Sequence, residues 1–165
     1  MPRVGIGYDV HPFTDGRVLV LGGETFPGAR GLAGHSDGDA LCHAIADAVL
    51  GALALGDLGA HFPDTDPRWK GANSLDLLAR VVALARERDY VVGNVDATVL
   101  TEAPRIAPHV NAMRAHLARA LSVDVTAVGV KATRPEGLGS FGRGEGLAVW
   151  AMALLVPLGS TGEKR

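Results

Sequence analysis

The stretch Leu147-Ala-Val-Trp-Ala-Met-Ala-Leu-Leu-Val156 decides the fold. If it is a strand, Leu147, Val149, Ala151, Ala153 and Leu155 point one way, and Ala148, Trp150, Met152, Leu154 and Val156 the other. Both faces are apolar, so both expect a cover. Helices of the same chain can supply one. The other is either buried inside the monomer or marks a subunit interface.

Working outward, residues 3–10 alternate as a strand, with Val4, Ile6, Tyr8 and Val10 on one side and Gly5, Gly7, Asp9 and His11 on the other. Residues 18–21 form a second short strand ended by Gly22-Gly23, and 24–38 read as a Gly-rich loop. Residues 39–55 are almost all apolar or small, with the length and Ala/Leu content of a buried helix, and Ser36 with Asp39 resembles a capping box. A loop spans 56–73. Ser74 opens a second helix with Leu75, Leu78, Val82 and Ala85 as its apolar stripe. Residues 90–100 form a strand. A third helix turns Val110, Met113, Leu117 and Leu121 inward, and 128–133 form another strand before the Gly-rich segment 137–146. Strands interleaved with helices give a mixed α/β (α+β) class. Residues 1–158 are expected to form one domain and 159–165 a solvated tail.

The composition excludes several functions. The chain has 165 residues and a net charge of −2, which argues against an overall nucleic-acid binder. It is 47% hydrophobic, too apolar for a disordered chain, yet no run approaches the ~20 residues of a membrane span. One cysteine, Cys42, allows neither an internal disulfide nor a cysteine-rich zinc module. No signal-peptide plan is present, and a cytoplasmic protein is expected.

Chemistry concentrates in a few places. Asp9 and His11 leave the same strand face, where Gly5 and Gly7 leave room for a ligand or another chain. Asp39, His43 and Asp47 are spaced by four and form one polar stripe on an apolar helix. Such a stripe must be satisfied. Either His43 bonds a neighbouring carboxylate, or Asp9, His11 and His43 hold a metal with an open fourth position, the pattern of catalytic zinc. His35 and Ser36 precede the helix start, where backbone N–H groups favour an anion. The segments 131–136 and 142–146 combine Lys131, Arg134, Arg143, Thr133 and Glu136 with glycines, which suits phosphate. His109 and His116 are expected at the surface of the third helix, His61 in a loop, and Trp69 and Trp150 as packing groups.

Taken in order, these segments resemble the 2-C-methyl-D-erythritol 2,4-cyclodiphosphate synthase family across residues 3–156. The resemblance rests on Gly5–His11, His35-Ser36-Asp37-Gly38-Asp39, His43, Asp47, Ala54–Gly59, Phe62–Asp66, Gly93–Asp96, Lys131–Thr133, Glu136 and Gly142–Gly146. It implies a ferredoxin-like subunit with helices on one sheet face. It also implies a homotrimer whose sheets face the three-fold axis, with active sites between subunits. The implied substrate is a cytidine diphosphate-linked small molecule, 4-diphosphocytidyl-2-C-methyl-D-erythritol 2-phosphate, which cyclises with loss of CMP.

By match, Asp9, His11 and His43 ligate zinc, and Glu136 holds Mg²⁺ or Mn²⁺ at the diphosphate. His35 and Ser36 hold the phosphates, and Asp9, Val10 and His11 are further substrate contacts. Asp57, Leu58 and Gly59 hold the erythritol part, and Phe62, Pro63, Asp64, Thr65 and Asp66 complete the substrate loop. Thr101, Glu102, Ala103, Pro104, Arg105, Ile106 and Ala107 form the cytidine pocket, and Thr133, Arg134, Pro135, Ser140 and Arg143 contribute further substrate contacts. Where the family runs Lys-Ala-Thr-Thr-Thr-Glu, this chain has Arg134 and Pro135 in place of two threonines. His35 and Arg134 are therefore the catalytic candidates, Arg134 through its backbone or its charge. Ser140 stands where the family often has Phe. An isoprenoid diphosphate in the central channel, near Arg143, is a further implied ligand. A zinc-dependent phosphohydrolase and a non-catalytic trimeric binder of isoprenoid diphosphates are the alternatives.

Overall fold

The computed structural model describes residues 1–159; the expected tail beyond Gly159 lies outside them. Five strands, β1 (Arg3–Leu21), β2 (Glu24–Leu32), β3 (Tyr90–Leu100), β4 (Val128–Thr133) and β5 (Gly146–Pro157), form one mixed sheet in the order β2-β1-β5-β3-β4. The helices are α1 (Ala40–Ala52), α2 (Leu58–His61), α3 (Ser74–Arg86), α4 (Val110–Leu121) and the single turn α5 (Gly139–Gly142). β5 sits centrally, antiparallel to β1 and β3, while β3 and β4 are parallel and joined through α4. That crossover follows from the need to return the chain to the same end of the sheet.

The two faces of the sheet differ sharply. Leu147, Val149, Ala151, Ala153 and Leu155 are buried beneath the helices, with α1 packed on β1 and β5. On the other face Val4, Ile6, Tyr8, Val10, Trp150 and Met152 are exposed, and the Tyr8 and Trp150 rings meet at 4.9 Å. Ala148 at one end of this second face is buried, but none of the described residues covers Trp150 or Met152.

Three sequence expectations need correction. First, β1 is one 19-residue strand rather than two, and residues 24–32 pair with it as β2 instead of forming a loop. Gly22 and Gly23 both take positive φ, the conformation a tight hairpin turn demands. β2 tolerates Pro27 because it is an edge strand, and it anchors through buried Phe26 and Leu32. Second, the room at Gly5 and Gly7 is taken by this chain's own helix. A Cβ at either position would lie 1.9 Å from a backbone oxygen of α1, that of Ala48 or Ala44. Third, Asp39 itself is the N-cap of α1, accepting from the Cys42 amide at 3.0 Å, so no Ser36–Asp39 box forms. The other helices keep their predicted faces with small shifts: α3 buries Leu77, Leu78, Val81, Val82 and Ala85, while Leu75 is only partly covered. Met113, Leu117 and Leu121 of α4 are buried. Among the described residues, no helix is long and apolar enough to cross a membrane.

Candidate active site

Asp9 and His11 lie near the end of the helix-covered face of β1, and His43 lies on α1 directly opposite. Close packing at Gly5 and Gly7 is what brings α1 near enough for the three to meet. Their ligand atoms fall within 4.8 Å of one another. Asp9 Oδ2 is 2.8 Å from His11 Nε2 and 3.2 Å from His43 Nδ1.

The ring geometry fits a metal. His11 Nδ1 lies 2.5 Å from the Ala33 carbonyl, which can only accept, so that nitrogen carries the proton and Nε2 is left bare toward Asp9. His43 turns Nδ1 to Asp9 and Nε2 to the hydroxyls of Ser74 (2.9 Å) and Ser36 (3.1 Å). One carboxylate and two imidazoles, each ring held from behind by an oxygen, make a three-ligand set of the catalytic zinc kind. Burial works to raise the Asp9 carboxyl, but hydrogen bonds and charge from His11 and His43 prevail and hold it far below the usual carboxylate range. Burial likewise opposes charge on His11, yet Asp9 lifts its imidazole above the ordinary value.

The expected stripe of Asp39, His43 and Asp47 divides into three separate tasks. Asp39 is fully buried and accepts from the amides of Gly22 (2.9 Å) and Gly23 (2.7 Å) as well as Cys42, which pins the β1–β2 turn to α1. His43 faces Asp9. Asp47 accepts the Leu58 amide at 2.7 Å and so holds the 57–59 loop; burial pushes its carboxyl upward.

A cleft of about 330 Å³ opens beside the metal set. His35, Ser36, His43, Leu58, Gly59, Phe62, Pro63, Asp64 and Trp69 contribute to its walls, with Leu77 behind. The segments at 35–36, 58–59 and 62–64 therefore line one cleft, with Asp57 capping α2 beside it. Thr65 and Asp66 continue the same loop, where Asp66 caps the next turn and pairs with Arg68.

A second cleft of about 400 Å³ is lined by residues 101–108 together with Ala132, Thr133 and Arg134. It shares no lining residue with the first. Thr101 is buried and its hydroxyl donates to the Ala103 carbonyl at 2.5 Å. Arg134 forks onto Glu102, whose other oxygen accepts the Gly137 amide at 3.1 Å. Three basic residues at or near this end are paired: Lys131 with Asp96 (2.5 Å), Arg134 with Glu102, and Arg143 with Glu145 (2.7 Å). Pro135, Glu136, Ser140 and Arg143 sit on the loop beyond β4, with Ser140 in α5 and Glu136 at positive φ.

Some supporting groups carry no local sequence signal. Arg17 donates to the carbonyls of Gly34 and Ser36, each at 2.5 Å, and so shapes the loop carrying His35. Ser74, read only as a helix start, touches His43. His109 and His116, expected at the surface, are half-buried around Glu24 at 3.2 and 3.5 Å and tie the β1–β2 hairpin to the start of α4. His61 sits in α2, half-buried, with Nε2 3.0 Å from the Leu55 carbonyl. Trp69 does pack, edge-on to Phe62 at 5.0 Å.

Known proteins place this arrangement. The sequence matches the YgbB family over residues 2–156. It is 56% identical over 155 residues to the 2-C-methyl-D-erythritol 2,4-cyclodiphosphate synthase of Trichlorobacter lovleyi, spanning 94% of this chain and 99% of that protein. With the synthase of the same name from Salinibacter ruber it shares 60% identity over 149 residues, 90% of this chain and 95% of the other. The fold overlays on the bifunctional IspDF of Campylobacter jejuni with a TM-score of 0.92 and 40% identity, covering 96% of this chain but 43% of that longer one. It also matches the CDP complex of IspF from Plasmodium falciparum, with a TM-score of 0.83, 31% identity, and 95% and 97% coverage. The chain belongs to the YgbB family, that of the 2-C-methyl-D-erythritol 2,4-cyclodiphosphate synthases.

Proposed function

We propose that this chain, as one domain over residues 1–158 in the cytoplasm, converts 4-diphosphocytidyl-2-C-methyl-D-erythritol 2-phosphate to 2-C-methyl-D-erythritol 2,4-cyclodiphosphate and CMP. The observation that carries the reading is the meeting of Asp9, His11 and His43 beside the His35–Ser36 loop, in a chain of this family. An oxygen of the substrate's 2-phosphate attacks the β-phosphorus. The bond from that phosphorus to the bridging oxygen breaks, and CMP leaves with the electron pair. By class this is a phosphorus–oxygen lyase reaction, and no water enters.

The chemistry asks the protein for positioning and charge stabilisation rather than a covalent nucleophile. Asp9, His11 and His43 would hold zinc, and Glu136 Mg²⁺ or Mn²⁺. When bound, these ions supply Lewis-acid polarisation of the diphosphate oxygens. Ser36 and the exposed His35 bind phosphate at the cleft mouth. Asp57, Leu58 and Gly59, held by Asp47, orient the erythritol part, and the Phe62–Asp66 loop walls it from water. Residues 101–107, with Thr133 and Arg134, receive the cytidine, and Glu102 fixes the Arg134 guanidinium at that pocket's rim.

The two clefts share no residue, and one face of the sheet is bare and apolar. Both features support a homotrimer of ferredoxin-like subunits in which the metal cleft of one chain meets the cytidine pocket of the next. The bare faces then lie on the three-fold axis around a channel suited to an isoprenoid diphosphate, with Arg143 near its mouth.

Phosphorus NMR on metal-replete protein with Mg²⁺ and the diphosphocytidyl substrate tests this reading. Cyclic diphosphate with CMP is the expected result. Free phosphate or linear products would point to a hydrolase, and no turnover to a binding protein.

A further inference from the structure

Ser74 is one of three buried polar residues among those described, at 1% exposure. It stands at the first position of α3, but the helix does not depend on its hydroxyl for a cap. Asn73 provides that by accepting the Leu75 amide at 2.9 Å. The Ser74 hydroxyl instead points at three groups: Asp37 Oδ1 at 2.5 Å, His43 Nε2 at 2.9 Å and Ser36 Oγ at 3.4 Å.

Proton counting orders these contacts. The Asp37 carboxylate only accepts, and it also takes the Ser74 amide at 2.9 Å and the Asp39 amide at 3.1 Å. A serine hydroxyl has one proton, and its short bond to a charged acceptor claims it. The Ser74 oxygen is then free only to accept, and it faces His43 Nε2 at 2.9 Å, nearer to that nitrogen than the Ser36 hydroxyl at 3.1 Å. That leaves the lone pair of His43 Nδ1 turned toward Asp9.

We propose that Ser74, oriented by Asp37, is a positioning residue that fixes the proton of His43 on Nε2 and so presents Nδ1 as a metal ligand. The proposal rests on the zinc reading above. Ser74 does for His43 what the Ala33 carbonyl does for His11, with a side chain in place of backbone. Because Ser74 and Asp37 come from different segments, the pairing also ties the ligand ring to the junction between α3 and the loop before α1.

The test uses the full chain. Zinc affinity is measured by chelator competition for wild type, Ser74→Ala and Ser74→Thr, and the His43 Nε2–H signal is followed by ¹⁵N NMR in the zinc-loaded protein. The expected result is a slowly exchanging Nε2–H in wild type. Ser74→Ala should lose that protection and weaken zinc about tenfold to a hundredfold, and Ser74→Thr, which keeps the hydroxyl, should recover most of the affinity. Zinc affinity in Ser74→Ala within twofold of a zinc-binding wild type would overturn the proposal. So would solvent-rate exchange of Nε2–H in the wild type, which needs no variant to fold. A wild type that binds no zinc would overturn the zinc reading as well.

Discussion

The two sides of β1 carry opposite instructions at alternate residues. Gly5, Gly7, Asp9 and His11 face α1: two positions emptied so that a helix backbone can touch the sheet, then two ligands where the helix presents His43. Val4, Ile6, Tyr8 and Val10 face outward, apolar and exposed. The first side is covered within one chain, and the second is left bare by the described residues. The lesson is that the Asp9–His11–His43 geometry depends on packing within the chain, whereas the proposed shared active site would depend on what covers the bare side.

That contrast can be broken from either side. The largest effect should come from Gly7→Val, which drives a side chain into the Ala44 carbonyl. Backbone cannot yield there as a flexible side chain could, so a loss of more than about 3 kcal/mol is expected, read as little or no folded protein in a urea melt. His43→Ala should keep the fold but drop turnover by about a thousandfold or more and leave zinc below one per chain, measured by kinetics and metal analysis. Full zinc occupancy in that variant would remove His43 from the ligand set. Asp39→Ala should cost about 2–3 kcal/mol in a thermal or urea melt, since it strands buried amides at a cap and at a hairpin turn together. On the bare side, Ile6→Asp should change the stability of the isolated chain by about 0.5 kcal/mol or less, because Ile6 is 68% exposed. Sedimentation should nevertheless show the proposed trimer lost, and activity with it.

Much of this was legible in the sequence, and the residues explain which part. Leu147–Val156 announced a central strand with two apolar faces, and Val128–Thr133 and Tyr90–Leu100 carried enough β-branched alternation to mark their strands. Asp9, His11 and His43 could be grouped because a spacing of two on a strand and of four on a helix fixes faces. Residues 24–32 read as a loop because Pro27, Gly28 and Gly31 mimic one, although Gly22-Gly23 is itself a hairpin signal that points to β2. The glycines at 5 and 7 read as space for a ligand or another chain, since a sequence does not say which partner a missing side chain admits. Ser74, Asp37 and Arg17 act on the site only through contacts 17–37 residues away in the chain, and no local pattern carries such information.

The central claim is that one chain supplies the metal half of an active site and a neighbour the cytidine half. Mixing His43→Ala chains with Glu136→Gln chains, each inactive alone, tests it most directly. If the chains unfold, refold and assemble at random, about a quarter of the sites join two intact halves, and cyclic diphosphate formation should recover to about a quarter of the wild-type rate. No recovery in a mixture shown to have exchanged subunits would contradict the account, because both halves of each site would then lie within a single chain.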